Sequence, residues 1–194
     1  MGRPSVSRPL VARLLEIDPL TYITHVTSVA HHFYEGRFEV ALESARIAFR
    51  LDPEGILSRY RYVLALGANK QFEEAWAVLD RWRNETPEHG WVVGATSWFY
   101  ALQGKKAESL ESLSEDALSG AWTDPGGVWP VAEIYALVGE TEEALKWLEH
   151  GVEMGCINYP FLSRIDPWLE NIRGEERFKK LMERVKYEWE SFEV

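Results

Sequence analysis

An interval of 34 residues recurs along the chain. Asp18-Pro19, Asp52-Pro53 and Thr86-Pro87 follow one another at that spacing, and each closes an apolar, helix-like run (VARLLEIDP, ESARIAFRLDP, VLDRWRNETP). A small residue in mid-unit keeps the same clock: Ala41, Ala75, Ser109 and Ala144 lie 34, 34 and 35 apart. Gly36, Gly104 and Gly139 stand five residues before it, with Lys70 in that place in the second unit. A Gly there predicts a left-handed residue ending one helix before the next begins. Between Glu39 and Leu51 the apolar Val40, Ala41, Ala45, Ala48, Phe49 and Leu51 recur at helical spacing, leaving Glu39, Glu43 and Arg46 for water. Each period therefore predicts a pair of helices, with the small residue at their crossing, where a larger side chain would hold the backbones apart. One pair cannot bury its apolar face alone, so successive pairs must stack.

On this period and these anchors the chain resembles the tetratricopeptide repeat family. The likeness is fuller in the second helix of each unit than in the first. Tyr100 and Tyr135 stand where the family favours Tyr, but His32 and Leu66 replace it in the first two units, and none of the four units carries the family's Trp or its Leu-Gly pair at the expected place. The resemblance implies an all-α fold, an α-solenoid wound as a right-handed superhelix. The expected single domain, 1–194, runs as a partial repeat at 9–19, repeats at 22–55, 56–89, 90–123 and 124–157, and a C-terminal cap at 158–194. In the cap, Asp166-Pro167 reads as an N-cap with Pro in the first turn. A last helix from about Glu175 carries Phe178, Leu181, Met182, Val185, Trp189 and Phe192 on one face. The stretch DPWLENIRGEERFKKLMERV also resembles the closing segment of such repeats in bacterial Ser/Thr kinases, adenylate cyclases and transcriptional regulators. The first element, residues 10–17, corresponds to a second helix without its partner, so an open, apolar N-terminal end is expected.

In this family ligands lie on the concave face lined by the first helices. The resemblance places Val26, Ala30 and Phe33; Tyr60, Leu64 and Ala68; Trp91, Trp98 and Leu102; and Trp129, Glu133 and Leu137 there. The expected binding residues are Phe33, Tyr60, Leu64, Trp91, Trp98, Trp129 and Glu133, an aromatic lining suited to apolar or extended peptide segments. If the rings face a groove, Trp98→Ala and Trp129→Ala should weaken binding and spare the melting temperature. The family's clamp for a C-terminal carboxylate is missing, since Val26 and Ala30 occupy two of its positions and only Arg61 supplies a nearby cation.

A net charge of −10 and a pI near 5.1 disfavour nucleic acid as partner. A single cysteine, Cys156, excludes an internal disulfide and a cysteine zinc site, and in its apolar context reads as a small packing residue. With no signal-like N-terminus, and with the most apolar stretch, residues 91–102, too short to span a bilayer, no membrane is expected and the compartment is read as cytoplasmic. His25, His31 and His32 lie close in sequence, but His25 and His32 fall two turns apart with no carboxylate at matching spacing, and HExxH is absent, so no metal and no cofactor are expected. Phosphate-binding and nucleophile motifs are absent too, and the carboxylates (Glu73, Glu74, Glu142, Glu143, Glu170, Glu175, Glu176) fall on polar faces and first turns. The sequence thus predicts a non-catalytic interaction scaffold for a protein or peptide ligand, basic or apolar, with a homo-oligomer through the open N-terminal repeat as a further partnership. A second reading makes the chain the C-terminal regulatory region of a larger bacterial signalling protein.

Overall fold

The computed structural model describes residues 3–192, so the outermost expected bounds, 1 and 194, lie outside the described residues. The described chain divides between Thr86 and Pro87 into two compact units. The first holds α1 (Pro4–Ile17), α2 (Tyr22–Tyr34), α3 (Phe38–Leu51), α4 (Ile56–Ala68) and α5 (Phe72–Glu85). The second holds α6 (Gly90–Leu102), α7 (Lys106–Ser112), α8 (Glu115–Thr123), α9 (Pro125–Leu137), α10 (Thr141–Glu153), a π turn (Phe161–Ile165), a 3-10 turn (Pro167–Ile172) and α11 (Glu176–Ser191). Among the described residues there is no strand, and no helix is long and apolar enough to cross a membrane.

The expected turns recur in all four pairs. Gly36, Lys70, Gly104 and Gly139 have φ of 74°, 59°, 72° and 79°. One residue on, the amides of Arg37, Gln71, Lys105 and Glu140 donate back to the carbonyls of His32, Leu66, Tyr100 and Tyr135 at 2.9, 2.9, 3.0 and 2.9 Å. This reversal satisfies helix-end carbonyls at the cost of one left-handed residue, a cost that glycine avoids and Lys70 does not. Replacing Lys70 by Gly is therefore expected to raise stability by about 1 kcal/mol, which urea unfolding of the two proteins would measure. Ala41, Ala75, Ser109 and Ala144 are all 0 % exposed, as the crossing points require. At the third crossing Ser109 is satisfied reciprocally: its hydroxyl donates to the Ser97 carbonyl at 2.9 Å while the Ser97 hydroxyl donates to the Ser109 carbonyl at 2.8 Å.

The period also repeats in the polar contacts of the first unit. His25 and Arg59, one period apart, each bond the carbonyl of the proline six residues earlier, Pro19 and Pro53, both at 2.8 Å. The buried Arg59 guanidinium also pairs with Glu54 and Glu85.

The third pair departs from the regular pattern. Its second helix, α7, stops after seven residues because Leu113 turns extended (φ −80°, ψ 103°), and Ser114 opens α8 by accepting from the Ala117 amide at 3.2 Å. Glu115 and Asp116 then sit in the first turn of α8, where the helix dipole favours them.

The C-terminal cap buries Phe178, Leu181, Met182 and Val185 of α11 in one cluster with residues of α9 and α10. Arg177 fixes α11 to α10, gripping Glu149 with Nε and Nη2 at 2.6 Å each and Glu142 with Nη1 at 2.9 Å. Of the predicted stripe, Phe192 remains 51 % exposed.

Candidate functional site

In the second unit the inner side chains of α6 and α9 meet residues 158–172, which run back along α9 after α10 ends. Asp166 caps the 3-10 turn as expected, its Oδ1 accepting from the Trp168 amide at 2.9 Å, with Pro167 in the first position. The turn sets Trp168 edge-on against Trp98, ring centroids 5.0 Å apart at 74°. Phe161 of the π turn meets Trp129 at 5.1 Å. Trp98 Nε1 donates to Glu133 Oε2 at 3.1 Å, and Trp129 Nε1 donates to Asp166 Oδ2 at 3.2 Å. Arg173 closes the turn from outside by hydrogen-bonding the Asp166 carbonyl and Glu170.

Two carboxyl groups are thus buried side by side, Glu133 at 6 % and Asp166 at 0 % exposure. Burial pushes Glu133 well above the ordinary carboxylate range, and the neighbouring Asp166 charge and hydrogen bond push it further. Burial likewise raises Asp166 to about 6, opposed by hydrogen bonds from the Trp168 amide, Trp129 and Glu133 and by the Arg173 charge. Both shifts run the same way because two acids this close disfavour ionising together, and the hydrogen bond between them favours the proton on Glu133 and the charge on Asp166. The two indole N–H groups complete the network around the two acids.

The seven residues expected on a concave binding face fall into two groups. Phe33, Tyr60 and Leu64 belong to the first unit and are 7 %, 5 % and 7 % exposed. The Phe33 ring stands edge-on against Phe38 at 5.1 Å, and Arg61 lies over the Tyr60 ring at 5.9 Å. In the second unit Trp98 and Glu133 are buried, whereas Trp91 and Trp129 are half-buried. Trp98 is therefore a core ring rather than an open groove ring, and the expectation that its removal would spare stability is corrected: residues 158–172 cover it. The sequence reading did not single out Trp168. A signal was available, since Trp98, Glu133 and Trp168 follow one another at equal intervals of 35 residues, close to the repeat period.

No family model matches this chain, and no curated protein matches it. Among solved structures it is similar to MamA, residues 41 to the end, from Desulfovibrio magneticus RS-1, with 14 % identity over 89 % of this chain and 97 % of that one, at a TM-score of 0.49. It is also similar to PilF from Pseudomonas aeruginosa, with 20 % identity over 98 % of this chain and 90 % of that one, at a TM-score of 0.48. The repeated helix pair, with its left-handed turn residue, its back-donating amide and its fully buried small residue at a period of 34 to 35, makes this an all-α fold of tetratricopeptide type.

Proposed function

We propose that the chain is a protein-interaction scaffold without catalysis of its own, and that it meets its partner on the first unit. The observation that carries this reading is an apolar stripe left in water at the N-terminal end. Leu10 and Ile17 on α1 are each 65 % exposed, Leu20 in the following turn is 80 % exposed, and Val6 and Ile23 extend the patch. Only Val11 of α1 is buried. Val6, Leu10 and Ile17 follow at four and seven residues and so share one face of α1, and apolar side chains exposed along one face mark surfaces that associate. Charge supports the same unit: the first 86 residues hold 11 Lys plus Arg and 11 Asp plus Glu, while the remaining 108 hold 10 and 20. A unit without net charge meets no overall repulsion from a copy of itself, so a second copy of the chain is the partner assigned to its apolar side chains. Trp91 and Trp129, the half-buried members of the expected concave set, lie in the acidic unit, where a basic segment is the complementary ligand.

The test is the solution mass by light scattering over a concentration series, for the wild-type chain and for a Leu10→Asp, Leu20→Asp double variant. The wild type is expected to rise from 22.4 kDa toward twice that mass, with little dependence on salt, and the variant to remain at 22.4 kDa with unchanged helicity. A wild-type chain that stays at 22.4 kDa throughout removes this face as a self-association surface.

A further inference from the structure

Three of the five histidines have evident packing roles. His25 bonds the Pro19 carbonyl, and His89 caps α6 by accepting from the Trp91 amide at 3.3 Å. His150 lies flat on Trp122, centroids 3.8 Å apart, with Nε2 at 2.8 Å from the Trp122 carbonyl. His31 and His32, in the last turn of α2, differ from these. His31 Nε2 and His32 Nδ1 are buried without a hydrogen-bond partner, and so is Oε2 of Glu35, the next residue beyond that helix; the nearest carboxylate oxygen to His31 Nε2 is Glu35 Oε1, at an ion-pair distance of 3.6 Å. Glu35 stands four residues after His31 and three after His32, the two spacings that put side chains on one helical face. One ligand atom from each of the three residues lies within 4.8 Å of the others.

We propose that His31, His32 and Glu35 form a binding site for a divalent transition-metal ion of the zinc class, ligated through His31 Nε2, His32 Nδ1 and Glu35 Oε2. Two imidazole nitrogens and one carboxylate oxygen suit zinc, cobalt, nickel or copper, whereas calcium takes six or more oxygens. Three protein ligands leave a position for water or for a donor from another molecule. The surroundings prepare the set. Ser7 Oγ of α1 donates to the Arg3 carbonyl at 3.3 Å and lies 3.2 Å from His31 Nδ1, so it is placed to accept a hydrogen bond from Nδ1–H, which favours the tautomer with the lone pair on Nε2. Arg8 Nη2 holds the other Glu35 oxygen, Oε1, at 3.0 Å, which orients the carboxylate and leaves Oε2 for the metal.

Two costs bear on the affinity. Arg37 Nη1 lies 3.6 Å from Glu35 Oε2 and must swing away, which its 47 % exposed side chain permits. Ligands on a tetrahedral zinc stand about 3.3 Å apart for bonds of about 2.0–2.2 Å, so side chains within 4.8 Å of one another must also close by up to about 1.5 Å.

The test uses the full chain without an affinity tag, titrated with Zn2+ against a chromophoric chelator. One Zn2+ per chain is expected. His32→Gln, at a partly exposed position chosen to preserve the fold, and Glu35→Gln are each expected to weaken binding at least tenfold, while His150→Gln leaves it unchanged. Zn2+ is expected to raise the melting temperature of the wild type but not of His32→Gln, and Co2+ to give the visible bands of a tetrahedral site with nitrogen and oxygen ligands. Absence of one-to-one binding overturns the proposal. So does binding that survives both His32→Gln and Glu35→Gln with the circular dichroism of the variants unchanged.

Discussion

Replacing Trp98 by Ala is expected to lower the stability of the second unit by about 3–5 kcal/mol, the range for truncating a fully buried large aromatic side chain. The ring is 1 % exposed and loses its edge-on contact with Trp168. Its indole N–H is the donor that satisfies Glu133 Oε2, and removing it leaves that oxygen short of a partner in a site closed to water. Trp98→Phe should recover much of the packing but not the hydrogen bond, so it falls between the wild type and Trp98→Ala. Urea unfolding followed by circular dichroism measures the series, and a fall of about 10 °C in melting temperature should accompany Trp98→Ala. Equal stability of Trp98→Ala and wild type would mean that residues 158–172 do not cover this ring in solution.

The buried acid pair gives the second large effect, seen in the pH dependence. Glu133 and Asp166 both titrate higher in the folded chain than in the unfolded one, where Asp166 returns from about 6 toward 3.8. Between those values the folded chain holds protons that the unfolded chain releases, so the pair's contribution to stability is full below about pH 4 and declines as pH rises through 6 and beyond. For Asp166 alone the difference corresponds to about 3 kcal/mol across that window. Glu133→Gln mimics the protonated acid: its carbonyl still accepts from Trp98 Nε1, and its amide can donate to the Asp166 carboxylate. The variant is therefore expected to match the wild type near pH 5, to exceed it at pH 8, and to show a flatter slope between. Unfolding free energies at pH 5, 6.5 and 8 for both proteins isolate the effect from other titrating groups. A loss in Glu133→Gln equal to or steeper than that of the wild type would mean that Glu133 does not hold its proton more tightly in the folded state than in the unfolded one.

Much of the fold was legible because its determinants act one residue at a time. A left-handed turn calls for Gly, and Gly36, Gly104 and Gly139 adopt it; even Lys70 takes the same conformation because its position in the period demands it. A close crossing admits only small side chains, and Ala41, Ala75, Ser109 and Ala144 are fully buried there. The break between α7 and α8 was missed although Ser114 followed by Glu115 and Asp116 is a helix start in its own right, because the apolar run through Leu113 continued the helical pattern of the other units. The histidine cluster was passed over for a different reason. The spacing of His25 and His32, two turns apart, draws attention away from Glu35, three and four residues beyond the adjacent pair.

The sequence by itself determined the helix pairs, their period, their turns and their crossing points, because each depends on backbone conformation or on the room for one side chain. Which aromatic rings face water was decided only by the tertiary structure. Trp98, Trp129 and Glu133 carry the same pattern whether they line an open groove or a core, and what buries Trp98 and Glu133 is a return of residues 158–172 that brings Asp166 to Trp129 across 37 residues. The same holds for His31, whose free nitrogen acquires its meaning from Ser7, 24 residues earlier on α1. Contacts between distant segments depend on how the whole unit packs, and no local residue pattern encodes them.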